Sequence, residues 1–246
     1  MSLFYYDLHI HSCLSPCGDD DMTPQNIVGM AALKGLQILA LTDHNTVKNC
    51  PTFMEVAKKY GICAIPGMEL TTAEEIHMLC LFPTMAAAFS FEALLEEKRM
   101  KIPNKPDIFG HQYMVRMDET LEEPYSYLLS VATFVTVDEA ISLVEGLGGF
   151  ICPAHVDRPS NGMIGVLGTV PSEYSFSHIE YNRSELAEKI RAEHGLAQTA
   201  SLFNSDAHRL WEIAEPCHQL ELNADTPTAC DVIRCFKNAR NFTTHS

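Results

Sequence analysis

Basic residues are scarce in this chain: 17 Lys and Arg stand against 32 Asp and Glu, a formal charge of −15. A protein that tracks a long nucleic-acid backbone needs a basic stripe, so this balance argues against a duplex nucleic-acid partner. A small anionic substrate stays open, because bound divalent cations reverse the local field. Long hydrophobic runs are missing as well. No stretch approaches the roughly 18 apolar residues of a membrane span, so no membrane partner is expected. The start of the chain, with Phe4-Tyr5-Tyr6-Asp7, lacks the length and the basic leader of a secretory signal. Nine cysteines are odd in number and scattered, and Cys63, Cys80 and Cys152 fall in apolar, strand-like segments. Reduced cysteine serves there as a small apolar residue, and a cytoplasmic location is expected. There is no P-loop, no serine-nucleophile motif, no internal repeat and no low-complexity tract. What remains, 246 residues at 46% hydrophobic and 20% charged, fits one large domain or a barrel carrying an inserted piece.

The pattern along the chain alternates strand and helix. Leu3–Ile10 reads as a strand, and 24–33 as a helix with Thr23 as N-cap, Pro24 at its first position and Gly35 as its stop. Gln37–Leu41 is an apolar run of the buried parallel-strand kind, followed by a helix over 52–60 and strands over 62–65 and 76–82. Further on come a helix over 137–146, strands over 150–152 and 177–181, a helix over 184–192, strands over 199–203 and 217–222, and a helix over 228–239. Such alternation indicates an α/β fold with a parallel sheet or barrel. Residues 84–136 break the rhythm. They read as a helical insertion, a possible lid, with helices over 89–101 and 125–134.

Metal-ligating residue types sit at the ends of several of these strands, where barrel enzymes place their chemistry. Asp7-Leu8-His9-Ile10-His11 is followed by Thr42-Asp43-His44, Gly67-Met68-Glu69, His77, Pro153-Ala154-His155 and Asp206-Ala207-His208. Residues two apart on a strand share a face, so His9 projects with His11, and Asp206 with His208. Imidazole mixed with carboxylate suits borderline or hard divalent metals. Asp7 is either a ligand or, better, an acceptor that orients a ligand imidazole. Asp43 is likewise a supporting or catalytic candidate. Glu69 is placed to bridge two metals, and His77, between Ile76 and Met78, reads either as a ligand or as a core histidine. Arg158, three residues after His155, can clamp a phosphate or form a surface ion pair. His111 and Arg116 read as insertion surface or as lid residues, and His178, His194, His218 and His245 as structural. The stretch Trp211-Glu212-Ile213 packs on the barrel or on another subunit.

The ordered series D-x-H-x-H-S, T-D-H, P-G-x-E, x-H, P-A-H and S-D-x-H resembles the PHP superfamily, of polymerase and histidinol phosphatase domains, over roughly residues 5–82 and 137–240. It is most similar to the small bacterial metal-dependent phosphoesterases of that superfamily. The resemblance implies a distorted seven-stranded (β/α) barrel over 1–83 and 137–246, and two or three divalent metals (Zn, Mn or Fe). By position, His9, His11, Glu69 and Asp206 would hold the first, and Glu69, His77 and His155 the second. A third would take His44, His208 and one residue of the following loop. That loop departs from the family pattern: where relatives carry His or Asp it has Pro16 and Cys17, then Gly18-Asp19-Asp20-Asp21. Cys17 as a soft ligand, or Asp19, Asp20 or Asp21, would complete the site.

The expected function is hydrolysis of a phosphomonoester of a small molecule, such as a nucleotide (bis)phosphate. Metals sharing Glu69 would lower the pKa of a bound water and deliver hydroxide in line to phosphorus. Arg158 would neutralise the non-bridging oxygens, and His44 or His208 would protonate the leaving group if no third metal binds. Two rivals remain: an amidohydrolase-like enzyme, disfavoured by the lack of a carboxylated-lysine candidate at a strand end, and a non-catalytic metal- or nucleotide-binding regulator. The expected partner is a small phosphorylated substrate.

Overall fold

A computed structural model describes the backbone of residues 1–242 and the side chains to residue 238; His245 lies outside the described residues. The elements run β1 (Ser2–Ile10), α1 (Pro24–Lys34), β2 (Ile38–Leu41), α2 (Cys50–Tyr60), β3 (Cys63–Thr71), β4 (His77–Leu81), α3 (Met85–Glu96), α4 (Pro106–Phe109) and α5 (Val137–Gly146). They continue with β5 (Phe150–Pro153), α6 (Met163–Leu167), β6 (His178–Tyr181), α7 (Ser184–Glu193), β7 (Ala200–Phe203), β8 (Gln219–Leu222) and α8 (Ala229–Phe242). The helix boundaries have local causes. Thr23 accepts from the Asn26 N–H at 3.2 Å ahead of Pro24, and Gly35, at φ 82°, returns its N–H to the carbonyls of Ala31 and Ala32. Thr136 and Glu139 form a capping box that opens α5.

A curled six-stranded sheet in the order β5-β4-β3-β2-β1-β8 forms the scaffold, with β6 and β7 paired separately. Only β1, β2 and β3 within it are parallel; β4 runs antiparallel to both β3 and β5, and β8 antiparallel to β1. The sheet is therefore mixed, where the sequence pattern suggested parallel. Among the described residues the strands fall into these two sheets, a curled half-barrel, and do not join in one seven-stranded ring. The β6–β7 pair meets the large sheet through single links, the Val156 N–H on the Glu180 carbonyl at 3.0 Å and an isolated bridge between Ile10 and Ala207. Phe4, Tyr6, Leu8, Ile38, Leu79 and Leu81 bury one face of the sheet with Val232, Ile233 and Phe236 of α8. The other core packs α1, α2, α3 and α5 on the sheet.

The insertion differs from its expected form. Its first helix starts at Met85 and adds Ala88, Phe91 and Leu95 to the main core, so this part belongs to the body of the fold. Residues 125–134 are irregular, not helical. Side-chain amides supply the hydrogen bonds that a helix would have made for itself. Buried Gln112 donates to the carbonyls of Tyr125 and Tyr127 and accepts from the Leu129 N–H, while Asn45 donates to the carbonyls of Leu129 and Val131. The insertion also lies against the loop after β1, where the Tyr113 N–H reaches the Cys13 carbonyl at 2.8 Å.

Candidate metal centre

Six ligand-type side chains converge at the ends of β1, β3, β4 and β5 and on the segment after β7. His9 and His11 come from the end of β1 and the residue after it, and both are fully buried. Their Nε2 atoms lie 3.2 Å apart, each within 3.4 Å of Asp206 Oδ1. Glu69 of β3 sits among five imidazoles. Its Oε1 is 2.8 Å from His77 Nδ1, 2.8 Å from His155 Nε2 and 3.5 Å from His9 Nε2; its Oε2 is 3.0 Å from His44 Nδ1 and 3.2 Å from His11 Nε2. Ligands on a cation at about 2.0–2.2 Å stand roughly 3.0–3.4 Å from one another, in tetrahedral or octahedral arrangement. The spacings around His9, His11, Glu69 and Asp206, 3.2–3.5 Å, lie in or within 0.1 Å of that interval, so the donor set fits a divalent cation. Both oxygens of buried Asp206 lack a protein hydrogen bond of good geometry, as does His155 Nδ1. His155 and Asp206 hold left-handed backbones at φ 27° and 51°, a strained conformation for non-glycine residues that concentrates at functional sites.

The electrostatics point the same way. Burial disfavours the charged form of every group here, yet His9 is pushed well above the usual imidazole range by Glu180, Asp206 and Glu69. His44 is raised likewise, against its burial, by Cys17 and Glu69. Glu69 is held well below the carboxylate range by His77, His9 and His44 despite burial, and Asp206 by His9 and His11. Protons on His9, His11 and His44 thus hold the positive charge that the carboxylates demand. A divalent cation replaces such protons and satisfies the same anions.

Three overlapping sets of donors result: His9, His11, Glu69 and Asp206; His44, Glu69 and His77; and His11, Cys17, His44 and His208. His155 joins through its 2.8 Å contact with Glu69. Asp19 and Asp20 stand apart from the sets, turned to Arg209 and His111 at 3.4 Å each. Asp43 stands apart too. Its carboxylate accepts from the Ser12 N–H, the Ser12 hydroxyl and the Ser15 hydroxyl at 2.6–2.7 Å, which anchors the loop after β1 rather than facing a substrate. Arg158 Nη2 lies 2.7 Å from Asp206 Oδ2, with the side chain half exposed. Arg116 pairs with Glu122 on the surface of the insertion. Trp211 is exposed beneath the Arg209 guanidinium, whereas Ile213 is buried.

The residue that orients a ligand imidazole is not Asp7. Asp7 accepts from the Ser205 N–H and hydroxyl and from the Ala214 N–H, fixing the turn that presents Asp206. Glu180 of β6 takes the orienting part. It lies 2.9–3.0 Å from His9 Nδ1 through both oxygens and accepts from the His155 N–H and from Asn204 Nδ2. Sequence reasoning passed over it, although a lone carboxylate in the apolar strand His178-Ile179-Glu180-Tyr181 was the available signal.

The PHP domain model matches residues 7–144, which covers more than half of the chain. The chain belongs to the PHP domain family. A 5′-3′ exoribonuclease of Haemophilus influenzae is 36% identical over 175 residues, 63% of this chain and 62% of that protein. The chain thus spans about three-fifths of that relative's length. The lesion-specific endonuclease PfuEndoQ of Pyrococcus furiosus superposes with a TM-score of 0.65 at 20% identity, over 96% of this chain and 56% of that one. A complex of endonuclease Q with a 27-mer duplex substrate, bearing an abasic lesion at the active site, gives a TM-score of 0.62 at 20% identity, over 96% and 57%.

These likenesses overturn one expectation. The acidic charge was read as excluding a duplex nucleic-acid partner and as restricting the partner to a small phosphorylated molecule. The same fold holds a duplex in endonuclease Q, and the exoribonuclease is by name a nucleic-acid enzyme. Net charge is a sum over the whole surface and does not report the field at a cation-lined cleft. As for membranes, no helix among the described residues is long and apolar enough to cross one.

Proposed function

We propose that this protein hydrolyses phosphodiester bonds in nucleic acid, removing nucleotides from the 5′ end of a single RNA strand. The observation that carries the proposal is Glu69, a buried carboxylate within 3.5 Å of five imidazoles. Such a hub suits adjacent cations acting on one phosphate. The polymer and its polarity are taken from the Haemophilus influenzae relative.

His9, His11, Glu69 and Asp206 would hold one cation, and Glu69, His77 and His155 a second. Divalent cations bound there supply an activated water and neutralise charge on the phosphate oxygens. The chain's own residues do the rest. Glu180 fixes the His9 ring, and Asp7 fixes the turn before Asp206. Arg158 carries its guanidinium on the exposed side of Asp206, in position to pair with a non-bridging oxygen. The insertion lies beside the loop after β1.

The test is a panel of end-labelled substrates: single-stranded RNA and DNA with 5′ phosphate or 5′ hydroxyl, and a duplex with an abasic site. Each is incubated with manganese and with a chelator. Stepwise release of mononucleotides from the 5′ end of RNA, lost with chelator and in the Asp206→Ala variant, is expected. Intact oligonucleotides throughout, in protein verified to carry at least two metal equivalents, overturn the proposal.

A further inference from the structure

The donor sets of the metal centre are buried with two exceptions: Cys17 is exposed and His208 partly so. The centre therefore opens to solvent beside the loop that follows β1. Residues 110–115 of the insertion are bound to that loop along their backbone. A Cβ on Gly110, at φ 93°, would lie 2.4 Å from the Pro16 carbonyl oxygen. The chain thus passes in contact with the residue before Cys17, and only glycine permits it. The Tyr113 N–H reaches the Cys13 carbonyl at 2.8 Å, and the Tyr113 carbonyl accepts from Asn49 Nδ2 at 3.1 Å. The Val115 N–H donates to Asn49 Oδ1 at 2.9 Å. On the other side of Cys17 the Asp19 N–H is held by the His208 carbonyl at 3.0 Å, and Asp20 Oδ2 lies 3.4 Å from His111 Nδ1. His111 stands next to the opening.

The backbone makes the anchoring bonds, which leaves two rings uncommitted to the fold. His111 and Tyr113 lie nearly parallel, with 5.0 Å between centroids and 16° between planes. The Tyr113 ring joins neither hydrophobic core, and the His111 side chain is 46% exposed. Aromatic rings held in this way grip single-stranded nucleic acid without reading its sequence, because every base offers a π-face. Nearby, Asp118, Glu119, Glu122 and Glu123 outnumber Arg116, which Glu122 already pairs. This surface offers a ring to a base rather than a cation to a phosphate.

We propose that the His111–Tyr113 pair is a stacking platform for one base of a single-stranded nucleic acid whose phosphate lies at the metal centre. The proposal rests on the reading of that centre as a nucleic-acid hydrolase, and it supplies affinity that an acidic chain does not obtain from charge. The insertion then acts as a fixed platform, in place of the lid expected from the sequence.

The test uses the full, manganese-loaded chain and phosphorothioate RNA pentamers labelled at the 3′ end, with binding read by fluorescence anisotropy. One strand carries its bases; in the other, tetrahydrofuran spacers replace them. The wild type should bind the first about tenfold more tightly than the second. The double variant His111→Ala, Tyr113→Ala should lose that preference and still bind the spacer strand as the wild type does. His111→Phe, which keeps a ring and discards the imidazole, should retain the preference. No preference in the wild type, no binding of either strand, or a preference that persists in the double variant overturns the proposal. So does its loss in His111→Phe, which would mark a charge contact with phosphate. Should the double variant fail to fold, His111→Ala, at an exposed side chain, decides by the same comparison. RNA hydrolysis without the preference removes the platform and leaves the hydrolase; the preference without hydrolysis leaves the platform and removes the reaction.

Discussion

His9 reaches its position through a carboxylate that is no ligand. Glu180 is buried, meets His9 Nδ1 with both oxygens, and binds the backbone of a second ligand, His155, and the amide of Asn204. It fixes which ring nitrogen faces the cluster and raises the basicity of that nitrogen. Glu180→Gln keeps the shape, removes the charge and turns an amide N–H toward a group that itself donates. Metal affinity at the first site should fall about 10–100-fold with the fold retained, measured by chelator competition. Asp7→Asn serves as the contrast. Asp7 touches no imidazole, so its replacement should leave that affinity much closer to wild type. Equal losses in the two variants would sink the assignment of the orienting part to Glu180. The side chains that converge at the centre were legible in the sequence because each stands in a short motif in or beside a strand. Their support was not, because an imidazole's hydrogen-bond partner is chosen by packing between the two sheets, 171 residues away in the case of Glu180.

At the scale of the element, strand β6 meets helix α8 through one ring. His178 opens β6, buried, with its ring 4.7 Å from Phe236 of α8 and 5.5 Å from Phe150 of β5. Burial in this apolar contact pulls its pKa down to about 4. The folded state therefore resists a proton that the unfolded chain accepts at about 6.5. The stability involved is fully present above pH 6.5 and is lost as pH falls toward 4, because the unfolded state binds more protons in that window. Between pH 7 and pH 5 this residue should cost about 2 kcal/mol of unfolding free energy. His178→Leu should shrink the pH 7 to pH 5 difference by that amount in urea unfolding of chelator-treated protein. An unchanged difference would show that α8 does not shield this ring. Elements of this length were readable from periodicity and caps, as the Thr136 capping box that opens α5 shows. Two were not. β3 runs on through Pro66 to Thr71, since Pro66 sits in register with Leu41 and its neighbours still pair. The apolar run 125–134 owes its irregular path to Gln112 and Asn45, which are distant in sequence.

At the scale of the whole molecule, a charge of −15 has to be reconciled with the proposed polyanionic substrate. The described side chains offer few cations near the centre. Arg158 lies on Asp206, while Arg209 is engaged by Asp19 and Glu212. Charge compensation must then come mainly from the bound cations at one phosphate rather than from a basic track along many. Counterion release scales with the number of phosphates neutralised by the protein, at a slope of about 0.7 per phosphate for single strands. With only one or two such contacts, raising monovalent salt from about 50 to 200 mM should weaken KM for an RNA oligonucleotide by less than about tenfold. Arg158→Ala should weaken binding at low salt and reduce the slope by nearly one contact. A slope equivalent to six or more phosphates would instead require a basic track along the strand, contributed by surfaces outside the described cleft, and the acidic charge would then say nothing about how the substrate is held.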